Sequence, residues 1–136
     1  AVETLTNKVT GDRSAGDGAA RIRRFLEDAR AAVAQRQDRR GCLMCNAAVD
    51  QAPTDPEIQA KVRAMMKRME RGIAEALGES RAAGRWPAQR RSQAALALIN
   101  AYLGLHVLAR SGASAQELGA VIDTTMLSFG LAKARR

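Results

Sequence analysis

The chain has 136 residues, 46% of them hydrophobic and only 3% aromatic, with 22 Lys and Arg against 14 Asp and Glu for a formal net charge of +8. That length supports one domain with a real core, spanning 1–136, and excludes two. So few aromatic and β-branched residues favour a core of Ala, Leu, Val, Ile and Met carried on helices rather than strands. The charge does not by itself mark a nucleic-acid surface. The Arg residues are spread from Arg13 to Arg136 in pairs at most, with no basic helix, Gly-rich RNA loop or aromatic platform beside them. No run approaches the roughly 18 apolar residues of a membrane span, and no charged-then-apolar leader opens the chain. Two cysteines do not make a disulfide framework, so a reducing cytoplasm and no membrane association are expected.

Residues 1–18 read as the end of a helix followed by a Gly-, Asp-, Ser- and Thr-rich loop, and 19–136 as the helical core. From Ala19 to Gln37, Ile22, Phe25, Leu26, Ala29, Ala32 and Val33 recur at helical spacing, with Asp17 as N-cap and Asp38 to Gly41 as the stop. A short helix, Cys42 to Gln51, comes next. Pro53 to Pro56 breaks it and starts a long third helix, with Thr54 or Asp55 as cap and Pro56 in the first turn. Its apolar stripe runs from Ile58 through Val62, Met65, Met66, Met69, Ile73 and Leu77, and it is expected to reach Ala83 and stop at Gly84.

The fourth helix differs. Between Ala94 and Ala109 only Asn100, Tyr102 and His106 carry polar side-chain atoms, so the helix must be buried on nearly all sides. Sixteen residues fall short of a comfortable membrane span, so a partner chain is expected to cover one face. Arg110 to Gly112 close it, and Ser114 with Glu117 forms a capping box for a fifth helix. The apolar faces of these two helices predict a homodimer through a four-helix bundle. Its expected interface is Leu96, Asn100, Leu103, Gly104 and Val107 on the fourth helix and Leu118, Val121, Ile122, Thr125 and Phe129 on the fifth. The fold class is therefore all-α: an antiparallel bundle of about five helices, the last two dimerising.

Gly41 to Asp50 (GCLMCNAAVD) concentrates the sequence's chemistry. Cys42 and Cys45 lie one turn apart on one helical face, and with Met44 they form a soft cluster. Three uses are open: core packing, a sensor of oxidants or electrophiles activated by Arg39 and Arg40, or metal binding. The last is short of ligands, because His106 is the single histidine and no second pair of cysteines exists, so neither a metal nor a cofactor is expected. Tyr102 and His106, one turn apart, are either a buried polar pair or the few polar groups of an apolar pocket. Enzymatic machinery is absent from the pattern. There is no nucleophile elbow, phosphate loop or dinucleotide glycine motif, and Glu70 and Glu75 do not share a face.

Arg40-Gly41-Cys42-Leu43 with Asn46 resembles a motif that opens a short helix in the effector-binding domains of tetracycline-repressor (TetR) family regulators. Pro53 to Pro56, the Ala82-Ala83-Gly84 turn, Gly104-Leu105 and the Leu108 to Ser114 junction follow the same template, and the resemblance covers roughly residues 20–130. It implies a ligand-sensing, dimerising domain of a transcriptional repressor. A small, mostly apolar ligand would enter a helical pocket lined by Phe25, Cys42, Cys45, Met65, Met69, Trp86, Tyr102 and His106. The resemblance also implies that DNA is contacted only through a helix-turn-helix domain, which nothing in this sequence matches. A connector at Arg85 to Gln89 departs from the acidic turn of many relatives.

Overall fold

The computed structural model describes residues 17–34 and 43–133, except the side chains of 32–34, 43 and 44, and every regular element among them is an α-helix. α1 spans Gly18–Ala34, α2 Leu43–Asp50, α3 Pro56–Gly78, α4 Ala88–Arg110 and α5 Ala115–Ser128. The all-helical expectation holds. The expected N-terminal helix end, the Asp38–Gly41 stop and Cys42 lie outside the described residues.

Local chemistry sets most of the boundaries. The Asp55 carboxylate accepts the backbone N–H groups of Glu57 at 2.9 Å and Ile58 at 3.2 Å, satisfying two orphan donors of α3, and Pro56 follows as its first residue. The capping box of α5 is complete. Ser114 Oγ accepts the Glu117 N–H, and Glu117 accepts the Ser114 N–H at 2.7 Å. Those bonds lower the pKa of the Glu117 carboxyl. Between α4 and α5 the chain turns at Gly112, whose φ of 97° is open to glycine and strained for other residues.

Two boundaries differ from the sequence reading. α3 stops at Gly78, one turn before the expected Ala83. Buried Ser80 donates to the Leu77 carbonyl at 2.7 Å and accepts the Ala83 N–H at 3.0 Å, so a serine-centred turn replaces the helix ladder. The start of α1 seals this corner. A Cβ on Gly18 would sit 1.8 Å from the Ala76 carbonyl oxygen, and the Asp17 carboxylate accepts the Arg81 N–H at 3.2 Å. α4 is 23 residues, longer than its sixteen-residue apolar stretch, because Pro87 starts it two turns earlier through polar Gln89, Arg90 and Gln93. At that length it is long and apolar enough to cross a membrane. Here Ala94, Ala95, Leu98, Ile99, Tyr102 and Leu105 turn into the chain's own core.

α4 packs on α3 and α1, and α1 also covers α3 and α5. Arg23 meets Asp123 at 2.8 Å while Arg30 approaches Gly119, so α1 and α5 run antiparallel. This packing corrects part of the expected interface. Leu118 and Ile122 are 0% exposed, because the amphipathic α1 takes that face of α5. They belong to the core with Ile22, Phe25, Leu26, Ile73, Leu77 and Leu98.

Candidate functional site

α2 is too short to hold its place by length. It packs on α3, and Arg110 of α4 donates to Asn46 Oδ1. Between α2 and the C-terminal half of α4 lies a cavity of about 430 Å³. Cys45, Asn46, Val49 and Asp50 form one wall, and His106, Val107, Arg110 and Ser111 the other. The volume is in the range of small-molecule sites.

His106 is its most informative group. Its Nε2 atom is buried and has no hydrogen-bond partner among the described residues. Burial lowers the pKa of the imidazole, and the nearby Asp28 carboxylate opposes that only in part. The ring is therefore neutral near pH 7, with one nitrogen a donor and the other an acceptor. Behind it, Tyr102 meets His106 edge-on at 4.6 Å between centroids, and Phe25 stacks on Tyr102 at 4.2 Å with 18° between planes. This aromatic column fixes the imidazole at the cavity wall.

A second cleft, of about 550 Å³, lies at the other end of α4. Ala82, Trp86, Arg90, Gln93, Ala94 and Ala97 line it with Ser128, Phe129 and Gly130. Trp86 is engaged on two sides. The Arg90 guanidinium lies 4.1 Å from the Trp86 ring centroid, and Arg91 donates to the Trp86 carbonyl at 2.9 Å.

Of the expected pocket residues, Cys45 and His106 come together. Phe25 and Tyr102, 1% and 2% exposed, support His106 from behind and line neither cavity. Met65 is half-buried and Met69 buried on α3, and both pack with the core. Trp86 belongs to the second cleft. These five departures share a cause: helical spacing identifies an inward face but not which inward residues border a void. Val49, Asp50, Arg110 and Ser111 were missed because no periodicity pairs the C-terminal end of α2 with that of α4. The Asn46 in the short-helix motif was the one available signal. Among the described residues no group of three His, Cys, Asp or Glu is placed to hold a metal.

The expected interface residues divide by exposure. Leu96 and Val107 are each 54% exposed, and Asn100 is exposed. Leu103, Gly104, Val121, Thr125 and Phe129 are half-buried. Leu108 and Leu127 extend this apolar surface.

A family model described as "Tetracyclin repressor-like, C-terminal domain" matches residues 18–130. No curated protein and no solved structure is a significant match.

Proposed function

The chain belongs to the tetracycline-repressor-like C-terminal domain family, and on that premise we propose that it is the ligand-sensing, dimerising part of a cytoplasmic transcriptional repressor. The observation that carries this reading is the cavity between α2 and α4. It joins the apolar side chains of Val49 and Val107 to a few polar groups, among them the edge of the His106 ring. A small, mostly apolar ligand seated there touches α2 on one side and α4 on the other, so its binding alters how the two helices pack.

The same α4 carries the exposed apolar surface at Leu96, Val107 and Leu108. Two copies cover it by pairing α4 and α5 into a four-helix bundle. A shift of α4 on ligand binding then changes the relative placement of the subunits, and with it the spacing of paired helix-turn-helix domains on DNA. A tenfold loss of operator affinity requires about 1.4 kcal/mol of coupling between the sites. The ligand supplies it by binding the DNA-incompetent arrangement better.

Gly104 offers a clean test. A Cβ there meets nothing within 4 Å inside the chain, so Gly104→Leu should leave the helical fold intact. Sedimentation equilibrium is expected to give a dimer for the wild type and a monomer, or a much weaker dimer, for the variant. A variant dimer of unchanged strength would remove this face from the interface, and a monomeric wild type would remove the dimer.

A further inference from the structure

We infer that the cleft at the start of α4 is a second binding site, for a planar aromatic monocarboxylate. Its ring lies against Trp86 and Phe129, and its carboxylate pairs with Arg90. The cleft measures about 550 Å³, within the range of small-molecule sites, and shares no lining residue with the α2–α4 cavity. Among the described residues, Arg90 is the only charged one that lines it. The Arg90 guanidinium lies over the Trp86 ring, 4.1 Å from the centroid, and no carboxylate among the described residues pairs with it. A guanidinium held on a ring face keeps the N–H groups along its edge for an acceptor. α4 begins here with no acidic residue in its first turn and no side-chain cap, so nothing local neutralises its positive end. An anion entering the cleft therefore meets a cation that the indole has already placed, and pairing costs little further side-chain freedom.

The rest of the lining sets the body of the ligand. One Trp, one Tyr and two Phe are all the aromatic side chains of the chain. Phe25 and Tyr102 stack on each other in the core, whereas Trp86 and Phe129 are half-buried and border this cleft. Ala82, Ala94 and Ala97 add only methyl groups to the walls. A flat ring covers such a surface with a large contact area and few rotamers to lose. A single guanidinium matches a single negative charge. A cationic ligand is repelled by Arg90, and an uncharged ring forgoes the charged pair.

Trp86 is the only tryptophan and His106 the only histidine of the chain, so one indole N–H resonance reports on this cleft and one imidazole on the other cavity. The test is a titration of the 136-residue chain at low salt with 2-naphthoate, with 2-naphthamide as its uncharged counterpart and with acetate as the anion without a ring. Shifts are read at both reporters, affinities by calorimetry, and the series is repeated on Arg90→Gln, an exposed position whose substitution leaves the core untouched. The expected result is a saturable Trp86 shift with 2-naphthoate and none with acetate. 2-Naphthoate should bind about fivefold more tightly than 2-naphthamide, the strength of an ion pair in an open cleft. That preference should vanish in Arg90→Gln and weaken as salt is raised. A preference that survives Arg90→Gln, or equal binding of 2-naphthamide in the wild type, would overturn the pairing with Arg90. A saturable shift at His106 alone, or none at Trp86, would overturn the site. A Trp86 shift that follows protein concentration instead of ligand would give the cleft to a second copy of the chain, and would overturn it as well.

Discussion

The two clefts at the ends of α4 are similar in kind and opposite in chemistry. In the larger, beside Trp86, Arg90 covers the indole and Arg91 holds the Trp86 backbone carbonyl. The smaller, beside His106, is walled by Val49, Val107 and Cys45, with polar groups at its rim. Volume alone would select the first as the binding site, at about 550 Å³ against about 430 Å³. The lining selects the second, because an apolar wall with a few polar groups around it is the usual pattern of a ligand site.

The contrast can be broken most strongly through Phe25. Its ring backs Tyr102 and, through Tyr102, His106, while Trp86 lies in the other cleft. Phe25→Ala is expected to cost about 3–5 kcal/mol, measured by denaturant or thermal unfolding. The histidine resonances should move and broaden, while Trp86 emission in the folded state stays near its wild-type value. Equal disturbance at both reporters would mean that the two ends of α4 are one cooperative unit.

Acidification should act on one cleft only. The pKa of His106 is lowered from the ordinary 6.5 by burial, against the pull of Asp28. Above 6.5 the ring is neutral in both folded and unfolded chains, and this site carries no pH-dependent penalty. As pH falls below 6.5 the unfolded chain takes up the proton first, and folded stability declines until the lowered folded pKa is reached. Ligand affinity follows the same direction, since the charged ring faces a desolvated site. His106→Gln should flatten this part of the stability profile. The lowered carboxyl of Glu70, held by the Ser92 hydroxyl at 2.6 Å and by Lys67, loses its contribution only further down, in the carboxylate range.

The smallest effect is expected at the Trp86 end. Arg90→Ala removes an exposed cation from the indole face, worth about 0.5–1 kcal/mol. Trp86 emission should change, and affinity for 2-naphthol, used as a small and mostly apolar probe, should not. A loss of affinity in Arg90→Ala would place the ligand in the larger cleft.

Much of the fold could be read from local chemistry. Asp55 before Pro56, and Ser114 three residues before Glu117, act through bonds within one turn, and both caps are where they were expected. The end of α3 was not readable, because Ala82 and Ala83 suit a helix and only the buried side chain of Ser80 diverts the backbone. The site was half readable. Cys45 and His106 were marked by residue type, but their meeting depends on α2 and α4 converging over α3, which neither periodicity contains. Leu118 and Ile122 show the same limit from the other side. An apolar face on α5 is evident in sequence, but whether α1 or a second chain covers it is decided by tertiary packing.

The most direct measurement is native mass spectrometry of the wild type beside Val49→Trp, each with 2-naphthol. Val49 is 68% exposed on the rim of the smaller cavity, so a large ring there should block the cavity without disturbing the core. The expected spectrum is a wild-type dimer carrying ligand mass that is lost on denaturation, and a Val49→Trp dimer without it. Ligand retained equally by Val49→Trp, or absent from the wild type, would contradict the assignment of the α2–α4 cavity as the sensing site.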